Sequence, residues 1–117
     1  REIKFRCWDK ILGMLPLFGL TQKEALILTP SGVRAKPIGE TVVIQFTGLH
    51  DKNGKEIWQS DLIRDDAGYL WQVSDGYDGF YLLSREKDIR SDRTIHERVK
   101  YLEIIGNIYE NSELVTP

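Results

Sequence analysis

The sequence predicts a mainly β protein, a small all-β barrel or roll with at most one or two short helical turns. Three observations predict it. Runs rich in β-branched and aromatic residues recur at close spacing. Glycine-containing turn clusters separate them. No long stretch carries a helical apolar period, and no internal repeat or low-complexity segment interrupts the pattern.

Taken in order, residues 2–8 alternate, with Ile3, Phe5 and Cys7 on one side and Lys4 and Arg6 on the other. That is the period of a half-buried strand, and Trp8-Asp9 ends it. Residues 10–20 hold Gly13, Pro16 and Gly19, so a short strand and a loop are expected. Thr21 with Glu24 three residues later is the pattern of a capping box, which offers one helical turn. A strand at Ala25–Thr29 is the alternative, before the turn cluster Thr29-Pro30-Ser31-Gly32. "ETVVIQFTGL" (40–49) is a clear strand, with Val42, Ile44 and Phe46 on one side and Gln45 and Thr47 opposite. The turn "DKNG" follows, then "KEIWQSDLI" with Ile57 as its apolar marker. "GYLWQV" and "GFYLL" are two further strands around the turn "SDGYDG". Residues 85–100 carry six Lys/Arg and four Asp/Glu, and read as a mobile surface loop entering a strand near Val99. A strand Tyr101–Ile105, Gly106 and a helical turn within Asn107–Leu114 close the chain.

The 117 residues fit one domain, 1–117. Hydrophobic residues at 41% and charged residues at 29% exclude a disordered chain. The net charge of -2 and a pI near 5.7 disfavour a dedicated nucleic-acid binder. Cys7 is the sole cysteine, so neither an intrachain disulfide nor a four-cysteine zinc site can form. The charged opening "REIKFRCWDK" is unlike a signal peptide. "ILGMLPLFGL" is too short to span a bilayer. No membrane association and a cytosolic location are the expectations.

Each candidate chemistry has a plainer alternative. Asp51, Asn53 and Gly54 open like a calcium loop, but the glycine falls at position 4 instead of 6, and position 5 is Lys55. A structural turn at Asp51, Asn53 and Gly54 is the better reading. Cys7 with His50 or His96 could make a nucleophile pair, yet Cys7 lies on the apolar side of a strand. Asp61, Asp65 and Asp66 cluster, and Asp75 and Asp78 flank Gly76, but aspartate beside glycine is ordinary turn chemistry. Neither phosphate-binding glycine motif occurs. Trp71 and Tyr77, with Arg90, Arg93, Arg98 and Lys100, form a candidate interaction surface of aromatics beside cations.

Three blocks, "REIKFRCWDK", "QFTGLHDKNGKEIWQSDLI" and "EIIGNIYENSEL", resemble the YopX-like family of phage- and prophage-encoded proteins. The matching positions are Trp8-Asp9, then Thr47, Gly48, Leu49, Asp51, Asn53 and Gly54, then Trp58 and Asp61, and finally Ile105 to Asn111. The chain departs at Gln59-Ser60, where the family has Glu-Gly, and at Ser112, where it has Pro. If that glycine has positive φ, Ser60 bears a cost. The resemblance implies an SH3-like barrel or roll in the C-terminal part, at about 41–117, behind an N-terminal strand extension in 1–40, and a bacterial cytoplasm as the setting. It implies no catalytic residues, no cofactor and no metal.

The leading functional expectation is a non-enzymatic module that binds an unknown protein partner, with a second copy of the chain among the candidates. The alternative is a nucleic-acid-binding small β-barrel that uses the basic loop 85–100 and exposed aromatics. A third is a small hydrolase built on Asp61 with a histidine or a metal.

Overall fold

The computed structural model describes residues 4–76, 79–84, 95 and 99–115. It is mainly β, with two antiparallel sheets and, among the described residues, only isolated 3-10 turns as helix. The chain divides into two compact units, Arg1–Phe46 and Thr47–Pro117.

The first unit is built from β1 (Phe5–Asp9), β2 (Gly13–Leu20), β3 (Glu24–Thr29), β4 (Gly32–Pro37) and the start of β5 (Thr41–His50). The strands lie in the order β4-β3-β2-β1-β5. Cys7 faces Leu15 on β2 and Val43 on β5, and with Ala25 and Ile27 it is fully buried. Lys36 Nζ on β4 lies 3.5 Å from Asp9 Oδ2 on β1, although β3 and β2 separate those strands. Strands are spaced about 4.8 Å apart, so the sheet must curl to bring the two side chains together.

One expectation changes here, and one choice between a helical turn and a strand is decided for the strand. Residues 13–20 form one eight-residue strand, not a short strand and loop. Pro16 is exposed, and a bulge between Leu17 and Gly19 absorbs the irregularity. At Thr21 the hydroxyl accepts the Glu24 N–H at 2.9 Å, as in a capping box, but a strand follows instead of a helix. Buried Ala25 and Ile27 at spacing two decide this, together with pairing to both β2 and β4.

The second unit contains the end of β5, then β6 (Glu56–Trp58), β7 (Asp61–Arg64), β8 (Leu70–Gly76), β9 (Gly79–Ser84) and β10 (Glu103–Asn107). β6 lies beside β5, and the second sheet runs β10-β7-β8-β9. Its core is Ile57, Ile63, Val73, Leu82, Ile95 and Leu102, with Leu49, Trp71, Phe80, Val99 and Ile104 packed around it.

Two more expectations change in this unit. Thr47 is buried, not opposite the core, because its hydroxyl donates to Ile57 C=O at 2.6 Å and accepts Leu49 N–H. Residues 99–101 form a 3-10 turn in place of the start of a strand. Tyr101, the last residue of that turn, is exposed, and β10 begins only after the buried Leu102. Most of 85–98, read as a surface loop, lies outside the described residues, but Ile95 is described and belongs to the core.

Candidate functional site

The turn from Asp51 to Lys55 is the best-defined polar cluster of the second unit. Asp51 N–H donates to Lys55 C=O at 2.8 Å, and Gly54 N–H donates to Asp51 C=O at 3.0 Å. Gly54 has φ 82°, which glycine adopts without steric cost. One carboxylate oxygen of Asp51 accepts the Asn53 and Lys55 amides, both at 2.9 Å. The other accepts the Ile104 amide of β10 at 3.0 Å. Lys52 N–H adds a bond to Leu102 C=O. Burial pushes the Asp51 carboxyl up, but the Ile104, Lys55 and Asn53 amides and the Lys55 charge outweigh it and hold the group below the usual carboxylate range. These groups are occupied in folding, and Lys55 stands where a calcium loop would need an oxygen.

Asp65 builds a second turn of the same kind. Its N–H donates to Tyr69 C=O, and Gly68 N–H donates back to its carbonyl. Oδ1 accepts the Ala67 and Tyr69 amides, and Oδ2 accepts Trp71 Nε1–H at 2.9 Å. Trp71 is therefore half-buried against the core with its polar edge satisfied. Asp61 is also buried. Its Oδ2 accepts the Trp58 amide at 2.8 Å across the turn Gln59-Ser60. Ser60 has φ 73°, the one non-glycine residue in the left-handed region among those described. Its N–H donates to Val73 C=O and its carbonyl accepts Ile108 N–H.

The last block is a cap. Asn107 Oδ1 accepts the Tyr109 and Glu110 amides, and Nδ2 donates to Glu110 Oε1 at 2.8 Å. Asn107 N–H donates to Asn111 Oδ1, and Asn111 N–H returns a bond to Asn107 C=O. Asn111 lies so close to Gly106 that any β-carbon there would collide with it.

In the first unit Asp9 makes a comparable turn. Its Oδ1 accepts the Ile11 and Leu12 amides, each at 2.9 Å. The Leu12 amide, then the Ile11 amide and Lys36, hold the Asp9 carboxyl low against the opposing effect of burial. Cys7 donates its thiol to Leu15 C=O, and burial, reinforced by the Asp9 charge, pushes its pKa up. A raised thiol pKa means less thiolate, the opposite of an activated nucleophile. Among the described residues no group of three His, Cys, Asp or Glu side chains could hold a metal ion.

The YopX protein family matches residues 4–116. The chain belongs to the YopX family. Its fold is similar to that in a crystal structure of protein EF1440 from Enterococcus faecalis, with a TM-score of 0.67 and 24% identity over 98% of this chain and 99% of that one. No curated protein matches the chain.

Seen against this family, Thr47, Asp51, Asn53, Gly54, Asp61, Gly106, Asn107 and Asn111 all act within the fold of the second unit. Of the candidate interaction residues, Trp71 and Lys100 are among the described residues. Trp71 is engaged by Asp65, and Lys100 Nζ lies 5.1 Å over the Tyr101 ring. Tyr77, Arg90, Arg93 and Arg98 lie outside the described residues.

The sequence reading missed the outward face of β3 and β4. Leu28 and Val33 are register partners on that face, 44% and 50% exposed, and the pair Leu26 and Ala35 continues it. Phe18, in the β2 bulge, is 66% exposed. The alternation in "GVRAKP" was the signal that could have shown β4.

Proposed function

We propose that this YopX-family chain is a non-enzymatic protein-interaction module, working in the bacterial cytoplasm as a phage- or prophage-encoded protein. The carrying observation is the exposed apolar face of the first unit, with Leu28 beside Val33 and Phe18 in the β2 bulge. Exposed apolar side chains on a sheet face are the kind of surface that another protein covers. The polar family residues of the second unit support the reading, because the hydrogen bonds that build its turns already occupy them. No helix among the described residues is long and apolar enough to cross a membrane.

Affinity capture from bacterial lysate and light scattering test the proposal, run on the native chain and on a Leu28→Ser/Val33→Ser variant. The expected result is a partner, or a second copy, that the native chain retains and the variant loses. A native chain that stays monomeric and captures nothing, or equal capture by both proteins, contradicts it.

The nucleic-acid reading keeps one supporting observation. The first unit carries seven Lys/Arg against four Asp/Glu, a charge of +3, while the second carries nine against fourteen, a charge of -5. Failure to shift labelled DNA or RNA at low salt removes that reading.

A further inference from the structure

We infer that the outer edge of β4 accepts an extended segment of a partner protein whose side chains alternate acidic and apolar. The inference rests on the reading of the domain as a protein-binding module and names the place and the chemistry of the contact. β4 is the last strand of its sheet, and among the described residues it pairs with β3 alone. Five of its six residues are exposed. Alternate residues of such a strand turn their N–H and C=O groups outward, where an incoming strand can bond them. This is strand addition, in which the backbone supplies affinity and alternate side chains supply selectivity.

The side chains define the selectivity. Val33 and Ala35 share a face with Leu28 and Leu26, so the incoming residues on that side meet apolar surface. Arg34 and Lys36 lie on the other face, beside Ile27 and Ala25, and β4 has no acidic residue. Lys36 is already engaged by Asp9 at 3.5 Å, which leaves Arg34 as the selective charge. Residues of the incoming strand on that side are acidic. The +3 charge of the whole unit works in the same direction. A second copy's β4 does not fit, because the two strands would set cation against cation. Pro37 brings no N–H, so pairing ends there and the bound segment is short.

The probe is a fluorescent peptide of four Glu-Val repeats, with four Lys-Val repeats as control. NMR chemical shifts and hydrogen exchange of the full chain are followed during titration. The expected result is that Glu-Val shifts and protects amides at Val33–Ala35 while Lys-Val does not. Arg34→Glu turns attraction into repulsion, weakens Glu-Val binding roughly tenfold and confers binding of Lys-Val. Arg34→Gln, which keeps the length without the charge, falls between the two and serves if the reversal unfolds the unit. Shifts that map away from β4, equal binding of both peptides, or no binding of either overturns the inference. If Arg34→Glu retains the same lysate partner as the native chain, the inference fails while the protein-interaction reading stands.

Discussion

Two turns of the second unit share one plan and serve different ends. Asp51–Lys55 and Asp65–Tyr69 each begin with an aspartate whose N–H and C=O close the loop. In each, Oδ1 caps the amides two and four residues on, and a glycine at the fourth position takes positive φ, 82° in one and 90° in the other. The difference lies in the second carboxylate oxygen. Asp65 gives it to Trp71, six residues away, within the same hairpin. Asp51 gives it to the Ile104 amide, 53 residues away, on the strand that closes the sheet. The same local chemistry is thus a hairpin turn in one place and an anchor for β10 in the other.

Asp51→Asn breaks the comparison most strongly. The amide cannot accept on both sides, so a buried N–H loses its partner, at a cost of about 2–3 kcal/mol in denaturant unfolding. It also changes the response to acid. The folded Asp51 carboxyl titrates below its ordinary value of 3.8, so its contribution is complete above that value and is lost as pH falls toward the lowered one. Unfolding measured across the acid range should show a shallower loss of stability in Asp51→Asn than in the native chain. Asp9 is also held low, so part of the acid sensitivity remains in the variant.

Gly106→Ala attacks β10 from its other end. The new methyl group collides with Asn111 and forces the Asn107 cap apart, for about 2 kcal/mol of destabilisation by the same assay. Asp65→Asn is milder, about 1 kcal/mol, because its turn is partly exposed and bonds only within its hairpin. Its sensitive readout is the fluorescence of Trp71, which loses the carboxylate beside Nε1.

Ser60→Gly sharpens the account in the opposite direction. Left-handed φ costs a non-glycine residue about 1–2 kcal/mol, and glycine returns part of that through unfolded-state entropy. The expected result is a gain of about 0.5 kcal/mol, seen as a higher unfolding midpoint. A loss would mean that the Ser60 side chain contributes more than its backbone costs.

Much of this architecture was legible in the residues. The alternation in 5–7 and in 42–46, and the glycine turn at 51–54, mark elements that local chemistry determines. The glycine expected at position 60 also pointed to the strained turn where Ser60 now sits. Other features depend on distant partners. Thr47 turns inward only because Ile57 C=O awaits its hydroxyl, and the Thr21 cap leads into a strand only because β2 and β4 lie on either side. The second use of Asp51 could not be read from its own turn, since Ile104 is remote in sequence. The exposed face was hidden for another reason. On β3, Ala25 and Ile27 alternate with Leu26 and Leu28, so both faces are apolar and the pattern cannot say which is wet. The basic loop 85–100 stands out by its charge, and only Ile95, Val99 and Lys100 of it are among the described residues.

Native-state hydrogen exchange, read at the Ile104 amide in Asp51→Asn and in Asp65→Asn, tests most directly whether the family aspartate is an anchor. Asp51→Asn should speed exchange at Ile104 well beyond its effect at Ala67 and Tyr69, while Asp65→Asn should do the reverse. Equal effects of the two substitutions at Ile104 would contradict the account and leave Asp51 as no more than a turn.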